Sequence, residues 1–369
     1  MTNQKTVGLV VAPGVTERLA ENLIQEMPKM LSTHYDHQQE WIFDLVTDPL
    51  TGFAESVDEI FGKVADYHDK RQWDYVIAIT DLPMFADKQV MALDINMENG
   101  AAIFSYPAFG WRPVKKRFKH AIYNIIQELN EAEQESRNYD NNKQIENSVK
   151  KQFPLSKIDK ETIYMKETDS YHLRYLSSSR SRGMFRLVSG MTFANNPLNM
   201  MASLSNIVAI AFTTGAFGLV FTTMWQMAYN FSMWRLFGIS IIAIIGMLIW
   251  IMMSHDLWEP VNKSNHKRIT WLYNLTTIMT LIFAIIIYYI ILYLLFLIAE
   301  IVLLPSGFLG QQVGLKGSAG IDLYLSIPWF AASISTVAGA IGAGLLNDEL
   351  IKESTYGYRQ RVRYEEQRR

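Results

Sequence analysis

The sequence has no cysteine among its 369 residues, which excludes disulfides, thiolate nucleophiles and Cys-ligated metals. An excess of positive charge is also missing: 34 Lys and Arg stand against 36 Asp and Glu, so no nucleic-acid partner is expected. No apolar run of signal-peptide length follows a basic start in the first 206 residues, because Val7 to Val11 is only strand-sized. No acidic residue occurs between Asp169 and Asp256, the pattern of a chain that meets an anionic membrane surface. Glycine is scarce where a dinucleotide would need it. The turn after the first apolar run, Val11-Ala12-Pro13-Gly14-Val15-Thr16, has one glycine and no P-loop lysine. Thr16 reads as a helix N-cap with Glu17 in the first turn, and no cofactor is expected.

What is present is apolar. Four long segments follow one another: 207–229, 234–253, 271–300 and 323–346. Each reaches the roughly 20 residues that cross about 30 Å of hydrocarbon. The turn at 230–233 is short enough to make the first two a hairpin, and the run around the third is longer than a bilayer requires. Pro328 is assigned to the first turn of the fourth, where proline is tolerated. Lys and Arg set the orientation. Arg174, Arg180, Arg182 and Arg186 precede the first span; Lys263, Lys267 and Arg268 separate the second from the third; Lys352 and five arginines follow the fourth. Only Arg235 and Lys316 lie on the other side. The bias predicts a multi-pass cell-membrane protein with both termini cytoplasmic.

The rest of the chain divides around that block. Residues 1–137 alternate strand-like and helical patterns: strands at Val7 to Val11, Trp41 to Val46 and Tyr75 to Ile79, a hairpin of Val90 to Ile95 with Ala101 to Tyr106, and helices with Leu19, Leu23 and Met27, with Val57, Ile60, Phe61 and Val64, and with Val114, Phe118 and Ala121 inward. This predicts a cytosolic α/β domain of three layers with a mixed sheet. Residues 138–182 form a polar linker with extra strands between Ile163 and Leu176, and 183–201 an interfacial amphipathic helix with Met184, Leu187, Val188 and Met191 opposite Arg182 and Arg186. Residues 202–346 hold the four-helix transmembrane bundle, and 347–369 read as a solvated basic tail.

Few residues in this pattern carry chemistry. Asp81 and Asp94 follow and occupy strands of the α/β domain, where carboxylates ligate metals, act as bases or cap turns. His255-Asp256-Leu257-Trp258-Glu259 forms a charged collar after the second span, with Trp258 suited to the headgroup layer. Glu300 is the one acid within the third span, and reads as an interface residue near its outer end. The fourth span carries Ala331, Ser335, Gly339 and Ala343 at four-residue spacing, a ridge that lets another helix approach.

Gly190-Met191, Ala194-Asn195 and Pro197 before the first span, the collar from His255 to Glu259, and Tyr356-Gly357-Tyr358-Arg359 after the fourth resemble an uncharacterised family of Gram-positive bacterial membrane proteins. Some of its members carry a methylenetetrahydrofolate dehydrogenase label, which no dinucleotide or folate pattern in these residues supports. The resemblance implies a place and a topology. The order from Tyr75 through Ala101 to the helix at Val114 resembles archaemetzincin-type zincins. There the corresponding helix holds two His four apart with a Glu between; here it reads His120-Ala121-Ile122-Tyr123-Asn124, and neither metal binding nor hydrolysis is expected.

Together these patterns predict a non-enzymatic, oligomeric membrane protein whose cytosolic domain binds a ligand or protein partner. A transport or lipid-handling component, and a membrane-tethered enzyme using Asp81 and Asp94, are the alternatives.

Overall fold

The computed structural model describes residues 3–34, 39–52, 54, 56–111, 114–133, 147–153, 157–165, 170–198, 200, 204–260, 267–343, 351–352 and 355–367. The chain forms two compact units, one of Met1–Ala194 with Gln360–Arg369, the other of Asn195–Arg359.

The first unit is built on an eight-stranded mixed sheet: β1 (Asn3–Val11), β2 (Gln39–Thr47), β3 (Tyr75–Thr80), β4 (Met84–Ala86), β5 (Gln89–Asn96), β6 (Ala101–Ser105), β7 (Ile158–Met165) and β8 (Ser170–Ser177). Their order is β2-β1-β3-β6-β5-β8-β7, with β4 paired to β5. β2, β1, β3 and β6 run parallel. From β6 outward the pairing is antiparallel, and the predicted strand pair forms that edge as β7 and β8.

β3 reads Tyr-Val-Ile-Ala-Ile-Thr and is buried along its whole length, as a parallel strand covered on both faces must be. On one face, Val10, Val76, Ala78 and Ile103 pack with Ile60 and Val64 of helix α2 (Val57–Arg71). Phe104 faces the other way, onto Phe118 of α3 (Val114–Glu133). α2 begins where Ser56 accepts a hydrogen bond from the Glu59 amide. α1 (Val15–His34) is tied to α3 by Glu26, which meets Lys115 and Lys119. The hydrogen bond from Lys119, then that from Lys115, draws the Glu26 carboxyl down to about 2.

Helix α4 (Arg180–Ala194) begins and ends earlier than the interfacial helix expected at 183–201, and the face turned inward is shifted from the expected one. Gly183, Arg186, Leu187, Gly190 and Met191 are buried, whereas Phe185 is exposed. Arg186, assigned from the sequence to the solvent side, lies with its guanidinium over the Phe153 ring. Burial, with Arg117 nearby, lowers its pKa to about 10. Residues 138–146, the start of the expected polar linker, lie outside the described residues.

The second unit is helical. Among the described residues three helices are long and apolar enough to cross a membrane: α7 (Met233–Ser254), α8 (Lys267–Leu303) and α10 (Ile321–Ala343). The expected first span is broken. α5 (Ser205–Leu219) and α6 (Thr222–Asn230) meet at 89°, so the count becomes four only if this pair is one span. The break falls where Phe221 turns extended, and Trp225 covers it by donating its indole N–H to the Leu219 carbonyl. Pro328 lies inside α10 and not in its first turn. α9 (Ser306–Gln312) fills part of the loop expected outside the membrane.

The packing of this unit is inverted relative to a water-soluble bundle. Phe217, Trp234, Ile242 and Met253 are each more than two-thirds exposed. Ser240, Tyr289, Trp329 and Ser333 are hydrogen-bonded to one another, joining α7, α8 and α10. An apolar exterior of this extent suits lipid, and these four inner polar groups are satisfied by one another as lipid demands. The small-residue ridge is a packing surface: Ala331, Ser335 and Gly339 are buried, and a Cβ on Gly339 would approach Tyr288 of α8 and Ala211 of α5. The side chain of Ala343 lies outside the described residues.

Candidate functional site

Three parallel strands deliver their carboxyl ends to one crevice of the α/β unit. β1 ends in Ala12-Pro13-Gly14, β2 leads to Asp48 and the turn Pro49–Gly52, and β3 ends at Thr80-Asp81. The strand order reverses between β1 and β3, which is where open α/β sheets bind their ligands.

An anion is not what this crevice is made for. Thr16, expected as an N-cap, instead donates its hydroxyl to the Ala12 carbonyl. The Gly14 amide, which would hold a phosphate, is taken by the Glu17 carboxylate at 3.2 Å. Asp48 and Asp81 are buried beside it. Asp48 is spoken for by the Leu50 amide, the Tyr67 hydroxyl and Lys63. Burial, reinforced by that contact with Asp48, raises the Tyr67 pKa to about 12.

Asp81 receives Arg363. This arginine belongs to helix α11 (Tyr356–Gln367), in the segment expected to be solvated, and the chain passes between the two units within that helix. Arg363 is 7% exposed. Its Nη1 donates to Asp81 Oδ1 at 2.9 Å and to the Gly52 carbonyl at 3.0 Å. Its Nη2 donates to Asp81 Oδ2 at 3.0 Å and to the Pro13 carbonyl at 2.7 Å. Gly52 makes the seat, since a Cβ there would lie 2.2 Å from Nη1.

Asp94 does not join Asp81. Its register partner on β6 is Ile103, which faces Ala78 of β3, so the two acids are two strands and three residues of register apart, roughly 10 Å in each direction. Asp94 is fully buried and accepts from His172 Nδ1 at 2.8 Å and Arg174 Nε at 2.7 Å. Each acid has its own arginine, and they form no common metal or acid–base pair. Among the described residues no His, Asp and Glu cluster is placed to hold a metal ion. His120 of α3 bonds the Lys116 carbonyl of its own helix.

The collar in the helical unit splits. His255 and Leu257 are buried, while Asp256, at φ 51°, and Trp258 are exposed. The Glu259 amide donates to Asn274 Oδ1 at 2.8 Å, and Asn274 returns a bond to the Glu259 carbonyl. Other stretches of the family resemblance arrive at the same cluster. Gly357 lies against the Glu259 carboxylate, Tyr356 stacks on Tyr273 at 5.6 Å, and Arg359 donates to Asn195 at 2.7 Å. Asn195 in turn donates to Thr280.

Glu300 faces the interior of the helical unit. It is fully buried, and among the described residues neither carboxylate oxygen has a hydrogen-bond partner. An unpaired buried acid is a cost to the fold that an apolar side chain of similar size removes. Glu300→Leu is therefore expected to hold or raise the thermal unfolding midpoint in detergent, for a stability gain of up to about 2 kcal/mol. A fall in the midpoint, measured by circular dichroism, would contradict this.

Sequence reasoning missed Arg363, because a charged segment carries no hydropathic sign that it will be buried, and it picked out Tyr356 and Arg359 only as part of a resemblance. No protein-family model, no curated protein and no solved structure matches this chain.

Proposed function

We propose that this is a multi-pass protein of the cell membrane with both termini in the cytoplasm, whose α/β domain binds a ligand or partner at the carboxyl ends of β1, β2 and β3 and couples that event to the helical unit. Its place in the Gram-positive family that it resembles belongs to the same proposal. The observation that carries it is the seating of Arg363 on Asp81. A binding crevice of the α/β unit is filled by the helix that also supplies Tyr356 and Arg359 to the polar cluster of the other unit. A change at Asp81 then has a covalent route to residues packed on α8.

Hydrogen exchange on full-length protein in detergent tests the coupling. Asp81→Asn is expected to speed exchange in residues 360–367 and also in 355–359 and in the collar. Faster exchange confined to 360–367 would separate the units and end the coupling reading. Orientation is tested by single cysteines, which the cysteine-free chain makes clean. Maleimide added outside intact cells should label Lys316→Cys and spare Ser354→Cys; the reverse pattern would invert the topology.

A further inference from the structure

The crevice at Asp81 has a chemical preference of its own. Four acceptor oxygens surround the end of Arg363: both carboxylate oxygens of Asp81 and the carbonyls of Gly52 and Pro13. They divide evenly, each terminal nitrogen meeting one carboxylate oxygen and one carbonyl. All four terminal N–H bonds of a planar guanidinium are used by that arrangement. A lysine ammonium, with its donors on a single nitrogen, does not span it.

The seat is made by the domain and not by the helix that fills it. Gly52 is without a Cβ where one would stand 2.2 Å from Nη1 and 2.8 Å from Cζ, and Gly14 holds φ at 100° with its open side toward Nη2. The Thr51 carbonyl is turned away to accept from Thr80, and the Gly52 carbonyl is left for the guanidinium. Glu17 fills the amide position that an anionic ligand would take.

In the portion of α11 grouped with this unit, Arg363 is the buried residue among those whose side chains are described, with Gln360 and Val362 half-buried and Glu365 exposed. A buried ion pair of this kind adds little net stability over an apolar contact, so a staple alone gives small reason for it; a specific and replaceable contact does.

We infer that the Asp81 crevice is a guanidinium-recognition site, occupied here in cis by Arg363 and open in its place to a guanidino group presented in trans, free or on the arginine of a partner protein. The tethered arginine competes as an internal ligand at an effective concentration on the order of millimolar, so an external ligand must overcome it. This rests on the crevice being the binding place of the α/β domain. A domain that binds some other chemistry there would keep the exchange coupling of Asp81→Asn while failing the test below, so the two readings fall separately.

The test uses the full-length protein in detergent, argininamide as probe and lysinamide as control, followed by calorimetry. Argininamide is expected to bind Arg363→Ala at least about tenfold more tightly than wild type. Lysinamide should bind neither, and Asp81→Asn added to Arg363→Ala should abolish argininamide binding. A folded Arg363→Ala protein that ignores argininamide, or takes lysinamide equally well, overturns the inference. A second measurement keeps Arg363 in place. A spin label on Glu365→Cys should gain mobility with excess argininamide and not with lysinamide, and a label unmoved by argininamide overturns the inference even if Arg363→Ala does not fold. A synthetic peptide of residues 356–369 separates the sources. Tighter binding than argininamide to Arg363→Ala assigns the ligand to a protein segment; equal or weaker binding assigns it to a small guanidino compound.

Discussion

Replacing Asp94 by alanine is expected to cost the α/β unit about 3–5 kcal/mol, the loss typical of breaking a buried ion pair from one side. Asp94 lies on β5, an inner strand between β6 and β8, and is fully buried. Its two oxygens divide between His172 and Arg174 on β8, so one carboxylate anchors the antiparallel edge to the parallel core. Without it, Arg174, whose side chain is 19% exposed, keeps its charge in a place that water only partly reaches. Asn in place of Asp94 retains one acceptor and should lose less. Removing both charges together, as Asp94→Leu with Arg174→Leu, should lose less than Asp94→Ala alone, because no uncompensated charge is left behind. Denaturant unfolding followed on the α/β unit's own transition measures all three. A cost below about 1 kcal/mol for Asp94→Ala would mean that solvent screens the pair and that the edge does not depend on it.

β3 was legible because a run of six apolar or β-branched residues has one home, the middle of a parallel sheet. α2 was legible from Val57, Ile60, Phe61 and Val64 on one face behind Ser56. The hairpin of β5 and β6 followed from two short apolar runs around a turn. Asp81 and Asp94 were visible as residues, but their separation is a matter of register between strands that are not neighbours in the sequence, and no local pattern encodes it. Arg363 lies 282 residues from Asp81, so its burial is set by a partner rather than by its surroundings in the chain. The first apolar segment carried enough hydropathy for one span; its break comes from the extended Phe221 and the Trp225 cover, in a stretch without the proline that usually marks a kink. Glu300 looked like an end-of-span residue because position along a helix says nothing about which side faces the bundle, and packing turned it inward.

The seat of α4 on the α/β unit gives the second large effect. Gly190 has no room for a side chain: a Cβ would stand 2.0 Å from the Pro107 carbonyl oxygen and within 3 Å of two further backbone atoms of that residue. Pro107 is in the short helical turn Tyr106–Phe109, itself buried, so neither backbone can withdraw without moving its element. Gly190→Ala should therefore lose stability even though alanine favours a helix by roughly 1 kcal/mol over glycine. A larger Gly190→Leu should lose on the order of 3 kcal/mol, the upper range for overpacking. Two other glycines fix the scale. At Gly183 the obstacles are the Ser177 hydroxyl at 2.4 Å, which can rotate, and the Ser177 Cβ at 2.7 Å, which cannot, so Gly183→Ala should also cost stability but less than Gly190→Ala with its carbonyl oxygen at 2.0 Å. At Gly62 of α2 nothing lies within 4 Å of an added Cβ, so Gly62→Ala should gain about 0.5–1 kcal/mol from helix propensity alone. Thermal unfolding in detergent should rank Gly62→Ala above wild type, then Gly183→Ala, then Gly190→Ala. If Gly190→Ala matched or exceeded wild type, α4 would not be seated on Pro107, and its apolar residues would be available to the membrane surface as their pattern first suggested.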